Sequence, residues 1–242
     1  MIGALLLAAG SGSRMRGKFS DKLLQPIGRS DAFSMSCTAF LQTPDVQSIV
    51  IAYKDAQQQP LLQTAIERAI LHLRADREVP LIWVQGGAQR QDSVRAGLLA
   101  FPAEVTHVLV HDCARPFIRP ETISATARQI AKDRAISVAR PLKDTLRHRT
   151  ESTVDPVTPC PTHTVERANH WLIETPQGAP KKWLLDGLDE AEKEKKTVTD
   201  DMAAVELLGH PIGMIEPDYP NPKITTPEDF SYAQCFITVN RH

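Results

Sequence analysis

The chain has 242 residues, 42% hydrophobic and 24% charged, which sets it apart from disordered chains and gives it enough apolar material for one sizeable core in a single domain, 1–242. Lys and Arg total 28 against 29 Asp and Glu, a net charge of -1, which argues against broad electrostatic binding to nucleic acid or an anionic membrane and leaves room for a local basic pocket. Cys37, Cys113, Cys160 and Cys235 lie far apart with no CxxC pair, and no stretch reaches the ~20 apolar residues of a membrane helix, so a reduced, cytoplasmic protein is expected.

In chain order, Ile2 to Leu7 opens the sequence as a continuous apolar run, the pattern of a strand covered on both faces. No basic region precedes it and Gly-rich polar sequence follows at once, unlike a signal peptide. A helix is predicted from Asp31 to Leu41 and a strand from Ser48 to Tyr53. Pro60 to Leu73 follows as a helix, then Leu81 to Val84 as a strand and Gln89 to Leu99 as a helix. Val105 to Val110 reads as a strand, Glu121 to Lys132 as a helix starting behind Pro120, and Ala135 to Ala139 as a strand. This βαβα rhythm predicts an α/β fold, a Rossmann-like doubly wound sheet, mostly parallel, with ligand beyond the carboxyl ends of the strands.

The rhythm breaks over about 141–167, where Pro141, Pro156, Pro159 and Pro161 alternate with threonines; an extended β-arm is expected there. Helices are predicted again at Lys181 to Lys195 and Asp200 to Leu208, then a strand at Ile212 to Glu216 and a last helix from Pro227.

The first strand runs into Ala8-Ala9-Gly10-Ser11-Gly12-Ser13-Arg14-Met15, with Lys18, Asp21 and Lys22 beyond. Glycines at a strand end let the backbone approach a ligand, and successive free N–H groups can hold phosphate oxygens. Arg14 and Lys22 add full charges, which favours phosphate chemistry over a merely structural turn. The pattern is neither the P-loop GxxxxGK[ST] nor GxGxxG, whose third glycine is absent, and this counts against a nicotinamide-dependent oxidoreductase.

With that loop and Lys22, the stretches Gly86-Gly87-Ala88-Gln89-Arg90-Gln91-Asp92-Ser93-Val94, His111-Asp112-Cys113-Ala114-Arg115-Pro116 and Pro141-Leu142-Lys143-Asp144-Thr145 follow in order. Then come Thr164-Val165-Glu166-Arg167, Thr175-Pro176-Gln177, Thr199-Asp200 and Asn221-Pro222-Lys223. Together they resemble the 2-C-methyl-D-erythritol 4-phosphate cytidylyltransferases over nearly the whole chain. The resemblance implies transfer of CMP from CTP to a polyol phosphate, with Mg²⁺ or another divalent cation assisting. It implies that Arg14, Lys22 and Lys223 hold the α-phosphate, and that Ala8, Ala9, Gly10, Gly12, Gly86, Gly87, Ser93 and Asp112 hold the nucleotide. It also implies a homodimer whose arm carries Thr145 and Arg167 into the neighbouring site, with Thr175 and Thr199 as further polyol or phosphate contacts.

The residues leave Asp112 open between binding substrate hydroxyls and holding the metal, and Arg115 open between a site role and pairing with Asp112. This chain has Ala88 where some relatives carry an acidic residue. A ribitol 5-phosphate cytidylyltransferase and a non-catalytic nucleotide-binding domain are the competing readings.

Overall fold

A computed structural model describes residues 1–10, 21–71, 73, 78–150, 155 and 157–239. A seven-stranded sheet runs through it. From one edge its strands are β11 (Ile212–Ile215), β7 (Ala135–Pro141), β10 (Trp171–Pro180), β6 (His107–Asp112), β1 (Ile2–Leu7), β4 (Ser48–Tyr53) and β5 (Leu81–Gln85). Residues Pro26–Ile27 (β2) and Ser30–Asp31 (β3) form a small separate hairpin.

Alternation along β1 builds two cores. Ala4 and Leu6 face one cluster with Phe33 and Phe40 of α1 (Ala32–Leu41), Leu62 and Ile66 of α2 (Gln58–Ile70), Ile123 of α4 (Pro120–Ile130) and Phe230 of α7 (Pro227–Val239). Leu5 faces the other, with Leu98 of α3 (Arg90–Ala100), Leu188 of α5 (Lys181–Lys193) and Val205 of α6 (Asp201–Glu206). Both faces are thus covered, and each buried leucine contributes about 1.5–3 kcal/mol by leaving water. The helix starts carry local signals: Asp31 accepts from the Ser34 N–H at 2.8 Å, Asp200 from Ala203 N–H at 2.8 Å, and Pro120 occupies the first turn of α4.

Two expectations need correction. The strand expected at Val105 to Val110 lies at His107–Asp112, so Asp112 ends the strand instead of following it. The sheet is also interrupted by a strand absent from the sequence reading, β10, which runs antiparallel to both β6 and β7. Its sequence WLIETPQGAP carries Pro176 and Gly178, both poor strand formers, and the register shifts between Ile173 and Gln177, where a residue without an N–H is tolerated. The arm expected at 141–167 contains an antiparallel pair, β8 (Leu146–Arg149) with β9 (Thr162–Val165).

Candidate functional site

Beyond the carboxyl ends of β1, β5 and β6 lies a cavity of about 470 Å³, lined among others by Ala9, Gly10, Lys22, Gly87, Ser93, Asp112 and Lys223. Each arrives by a definable route. Gly10 follows β1, and among the described residues nothing stands within 4 Å of where its Cβ would lie. Lys22 begins a single 3-10 turn, Lys22–Leu24, that Asp21 caps by accepting from Leu23 N–H at 2.9 Å. Gln58 of α2 fixes the turn and strand together, donating to Asp21 at 2.6 Å and to the Ala8 carbonyl at 3.1 Å.

The wall after β5 is built for close approach. A Cβ on Gly86 would meet Ser93 Oγ at 2.6 Å and Ala9 Cβ at 2.7 Å, so only glycine fits. Ser93, buried, accepts from Gly87 N–H at 3.1 Å and donates to the Gln89 carbonyl at 3.2 Å. Asp92 accepts from Gln89 N–H at 2.9 Å, so this segment both lines the cavity and starts α3.

Asp112 is the electrostatic centre. Lys223 Nζ reaches its Oδ2 at 2.6 Å and Arg90 Nε its Oδ1 at 3.4 Å. Burial alone would raise this carboxyl's pKa, but Arg90 and Lys223 outweigh it and hold the group well below the usual carboxylate range. Arg90 in turn grips Asp201 at the start of α6 with both terminal nitrogens, at 2.8 and 2.7 Å. Although burial opposes its charge, the two carboxylates keep Arg90 ionised. Lys22 donates to the Ile224 carbonyl at 3.2 Å, which places it beside the residue that follows Lys223.

A buried polar layer supports the floor. Thr175 on β10 accepts from Asp112 N–H at 3.2 Å and meets His111 Nδ1 at 3.0 Å, while His111 Nε2 lies 3.2 Å from the Arg115 carbonyl. A carbonyl only accepts, so the proton sits on Nε2 and Thr175 donates to Nδ1. Burial pushes His111 down to about 3, and the ring is neutral at physiological pH. Gln177, also on β10, accepts from the N–H groups of Asp201 and Met202 at 2.9 and 3.2 Å and donates to Asp200 at 3.1 Å.

The structure therefore brings Ala9, Gly10, Lys22, Gly87, Ser93, Asp112 and Lys223 to one cavity, with Gly86 directly behind its wall. Arg14 and Gly12, with Lys18, lie outside the described residues. Ala8 is spent on structure: its N–H donates to the Ala52 carbonyl at 2.8 Å and its carbonyl serves Gln58. Thr175 is 4% exposed and lies beneath Asp112, not in the cavity wall. Thr145, Arg167 and Thr199 are exposed and outside this cavity; Arg167 donates to the Lys143 carbonyl at the base of the arm. Arg115 is not the ion-pair partner of Asp112. Its guanidinium donates to the carbonyls of Asn221 and Ile173, and Arg90 and Lys223 take the pairing role.

Sequence reasoning passed over Arg90, Lys54, Gln177 and Asp201. Arg90 and Gln177 sat inside quoted stretches; Arg90 carried the signal of a cation at the first position of a helix facing the strand ends. Lys54, which lines the cavity and pairs with Asp55 at 3.1 Å, follows β4 with no local pattern to mark it.

Residues 2–239 match the family model for 2-C-methyl-D-erythritol 4-phosphate cytidylyltransferase. Proteins of that name from Prochlorococcus marinus (strain MIT 9313) and Gloeobacter violaceus are similar at 34% and 35% identity, over 97% and 96% of this chain and 97% and 94% of theirs. The solved 4-diphosphocytidyl-2C-methyl-D-erythritol synthase of Anaerococcus prevotii has a similar fold, with TM-score 0.80 at 24% identity over 98% of this chain and 96% of its own. The solved cytidylyltransferase of Thermus thermophilus superposes with TM-score 0.73, at 24% identity over 98% of this chain and 100% of its own.

Proposed function

Because this chain belongs to the 2-C-methyl-D-erythritol 4-phosphate cytidylyltransferase family, we propose that its cavity joins CMP from CTP to 2-C-methyl-D-erythritol 4-phosphate, giving 4-diphosphocytidyl-2-C-methyl-D-erythritol and pyrophosphate in isoprenoid precursor synthesis. The observation that carries the roles of individual residues is the convergence of Lys22 and Lys223, from opposite ends of the chain, on one cavity.

A phosphate oxygen of the polyol attacks the α-phosphorus, and the bond to the β-phosphate breaks with its electron pair leaving on pyrophosphate. Two anions must meet, so the barrier is largely charge repulsion, and fixed cations lower it. The attacking phosphate has a second pKa near ~6 and is already an anion at neutral pH, so no general base is needed. Lys22 and Lys223, with Arg14, hold the α-phosphate in this reading, while Gly86, Gly87 and Ser93 accept the flat base.

Among the described residues no group of three or more His, Cys, Asp or Glu side chains is placed to hold a metal. Mg²⁺ is commonly bound through one or two carboxylates plus substrate phosphates, and Asp112 fits that limited demand. We propose that Asp112 would hold an ion carried in with the triphosphate, whose chemistry would be to offset phosphate charge. The arm, with Leu146, Trp171, Leu172 and Ile173 exposed near its base, suits a homodimer in which Thr145 and Arg167 serve the neighbouring site. No described helix is long and apolar enough to cross a membrane, and the cysteines are free thiols; a cytoplasmic location is our reading.

The test is pyrophosphate release with CTP, ATP or GTP against 2-C-methyl-D-erythritol 4-phosphate and ribitol 5-phosphate, for the native chain and Lys22→Ala. Turnover is expected only with CTP and strongest with the methylerythritol acceptor, falling by about 10²-fold or more in Lys22→Ala with the fold kept. Unchanged turnover in Lys22→Ala would end the mechanism, and a preference for ribitol 5-phosphate would end the substrate assignment.

A further inference from the structure

Lys223 stands in the segment Glu216-Pro217-Asp218-Tyr219-Pro220-Asn221-Pro222-Lys223, which forms neither helix nor strand. It holds three prolines, Pro217, Pro220 and Pro222, the last two flanking Asn221. Each fixes φ near −65°, removes an N–H and pushes the residue before it into extended backbone. Between Tyr219 and Lys223 the chain therefore has few rotatable torsions, and a restraint at one end is felt at the other.

That restraint is present. Tyr219 is buried, 6% exposed as a residue; its hydroxyl accepts from the Arg119 N–H at 2.7 Å and donates to Thr122 Oγ1 at 2.8 Å. The Arg119 guanidinium lies over its ring at 4.0 Å. Further along, Asn221 accepts from Phe117 N–H at 3.0 Å, and Ile224 N–H donates to the Ala114 carbonyl at 2.8 Å. Residues 219–224 are thus fastened to residues 114–122, the stretch that leaves β6 directly after Asp112, the carboxylate Lys223 meets.

We propose that Tyr219 is a positioning residue: its buried hydroxyl, acting through the proline-stiffened segment, sets where the Lys223 ammonium stands in the cavity. Tyr219 is not among the residues that line the cavity, so in this proposal it acts through Lys223. The inference rests on the role given to Lys223 above, and the experiment separates the two.

Steady-state rates with saturating substrates and thermal midpoints are measured for Tyr219→Phe, Thr122→Val, Thr122→Ser, Lys223→Ala and the double variant Tyr219→Phe/Lys223→Ala, with Ile130→Val as a core variant that lowers the midpoint away from the cavity. Misplacing a reacting group by a fraction of an ångström costs roughly 10-fold, so Tyr219→Phe should lower kcat about 10-fold with KM for CTP within about twofold. Thr122→Val should follow in the same direction, Thr122→Ser should restore the native rate, and Ile130→Val should keep it. In the Lys223→Ala background Tyr219→Phe should add less than about a twofold further loss, because the group it positions is gone. Native kcat in Tyr219→Phe, or a loss that multiplies with that of Lys223→Ala, overturns the inference while leaving Lys223 in its role. Native turnover in Lys223→Ala itself overturns that role and the inference with it.

Discussion

Replacing Arg90 by methionine tests the electrostatic frame of the site. Asp201 has a side chain only 2% exposed and takes both terminal nitrogens of Arg90 at 2.8 and 2.7 Å. Methionine preserves much of the aliphatic bulk and leaves that carboxylate buried without a cation. Removing one partner of a buried pair costs about 3–5 kcal/mol, and the 30% exposure of Arg90 places this case near the lower end, about 3 kcal/mol. For a chain of this size the thermal midpoint should fall by roughly 6–12 °C.

The pH dependence gives the mechanism away. Burial already raises the Asp201 carboxyl's pKa, and without Arg90 nothing comparable offsets it. A folded-state pKa above the unfolded one means stability is kept below the unfolded pKa and lost as pH rises through the folded value. The deficit of Arg90→Met should therefore widen from about pH 5 to pH 8, and Asp201→Asn in the same chain should recover most of it. Urea unfolding at both pH values reads this directly, provided the slope with denaturant is unchanged. A loss under about 1 kcal/mol, or one indifferent to pH and to Asp201→Asn, would refute the argument.

Thr175→Val should cost about 1–3 kcal/mol by leaving the buried Asp112 N–H without its acceptor, with Thr175→Ser near native in urea unfolding. Gly187→Ala favours an isolated helix by about 1 kcal/mol, yet its Cβ would stand 2.3 Å from the Ala204 carbonyl oxygen, so calorimetry should show a net loss of about 1–3 kcal/mol as α5 is pushed off α6. His111 has a folded pKa of about 3 against an ordinary 6.5, so its contribution is present above pH 6.5 and lost as pH falls toward 3. His111→Gln should flatten the stability profile in that interval; an unaltered slope would point to other groups.

The strands of the parallel half were legible because burial on both faces forces continuous apolar runs such as Leu5-Leu6-Leu7 and Ile49-Val50-Ile51. β10 was illegible for the opposite reason: Glu174, Thr175 and Gln177 are buried in hydrogen bonds instead of apolar contacts, and a pattern of hydrophobicity does not register polar residues placed inside. Lys22 and Lys223 could be paired by family likeness, but their meeting depends on Ile224 returning to Lys22 across a separation of 202 residues, which no local signal encodes. The Arg90–Asp201 pair is hidden likewise, since 111 positions separate two charges that each look solvated in their own neighbourhoods.

Strand β10 is exposed at Trp171–Ile173 and buried from Glu174 to Pro180. The two halves accordingly face different fates under insertion or deletion. Extra residues before Trp171 lengthen a projecting tether and leave the pairing of Gln177 with Val110 and Ser137 untouched. One extra residue after Pro176 would slide that register by a single step, turn the Gln177 amide to the opposite face and strand the first N–H groups of α6. Length variation among such chains should therefore collect in the tether and stop abruptly at Glu174.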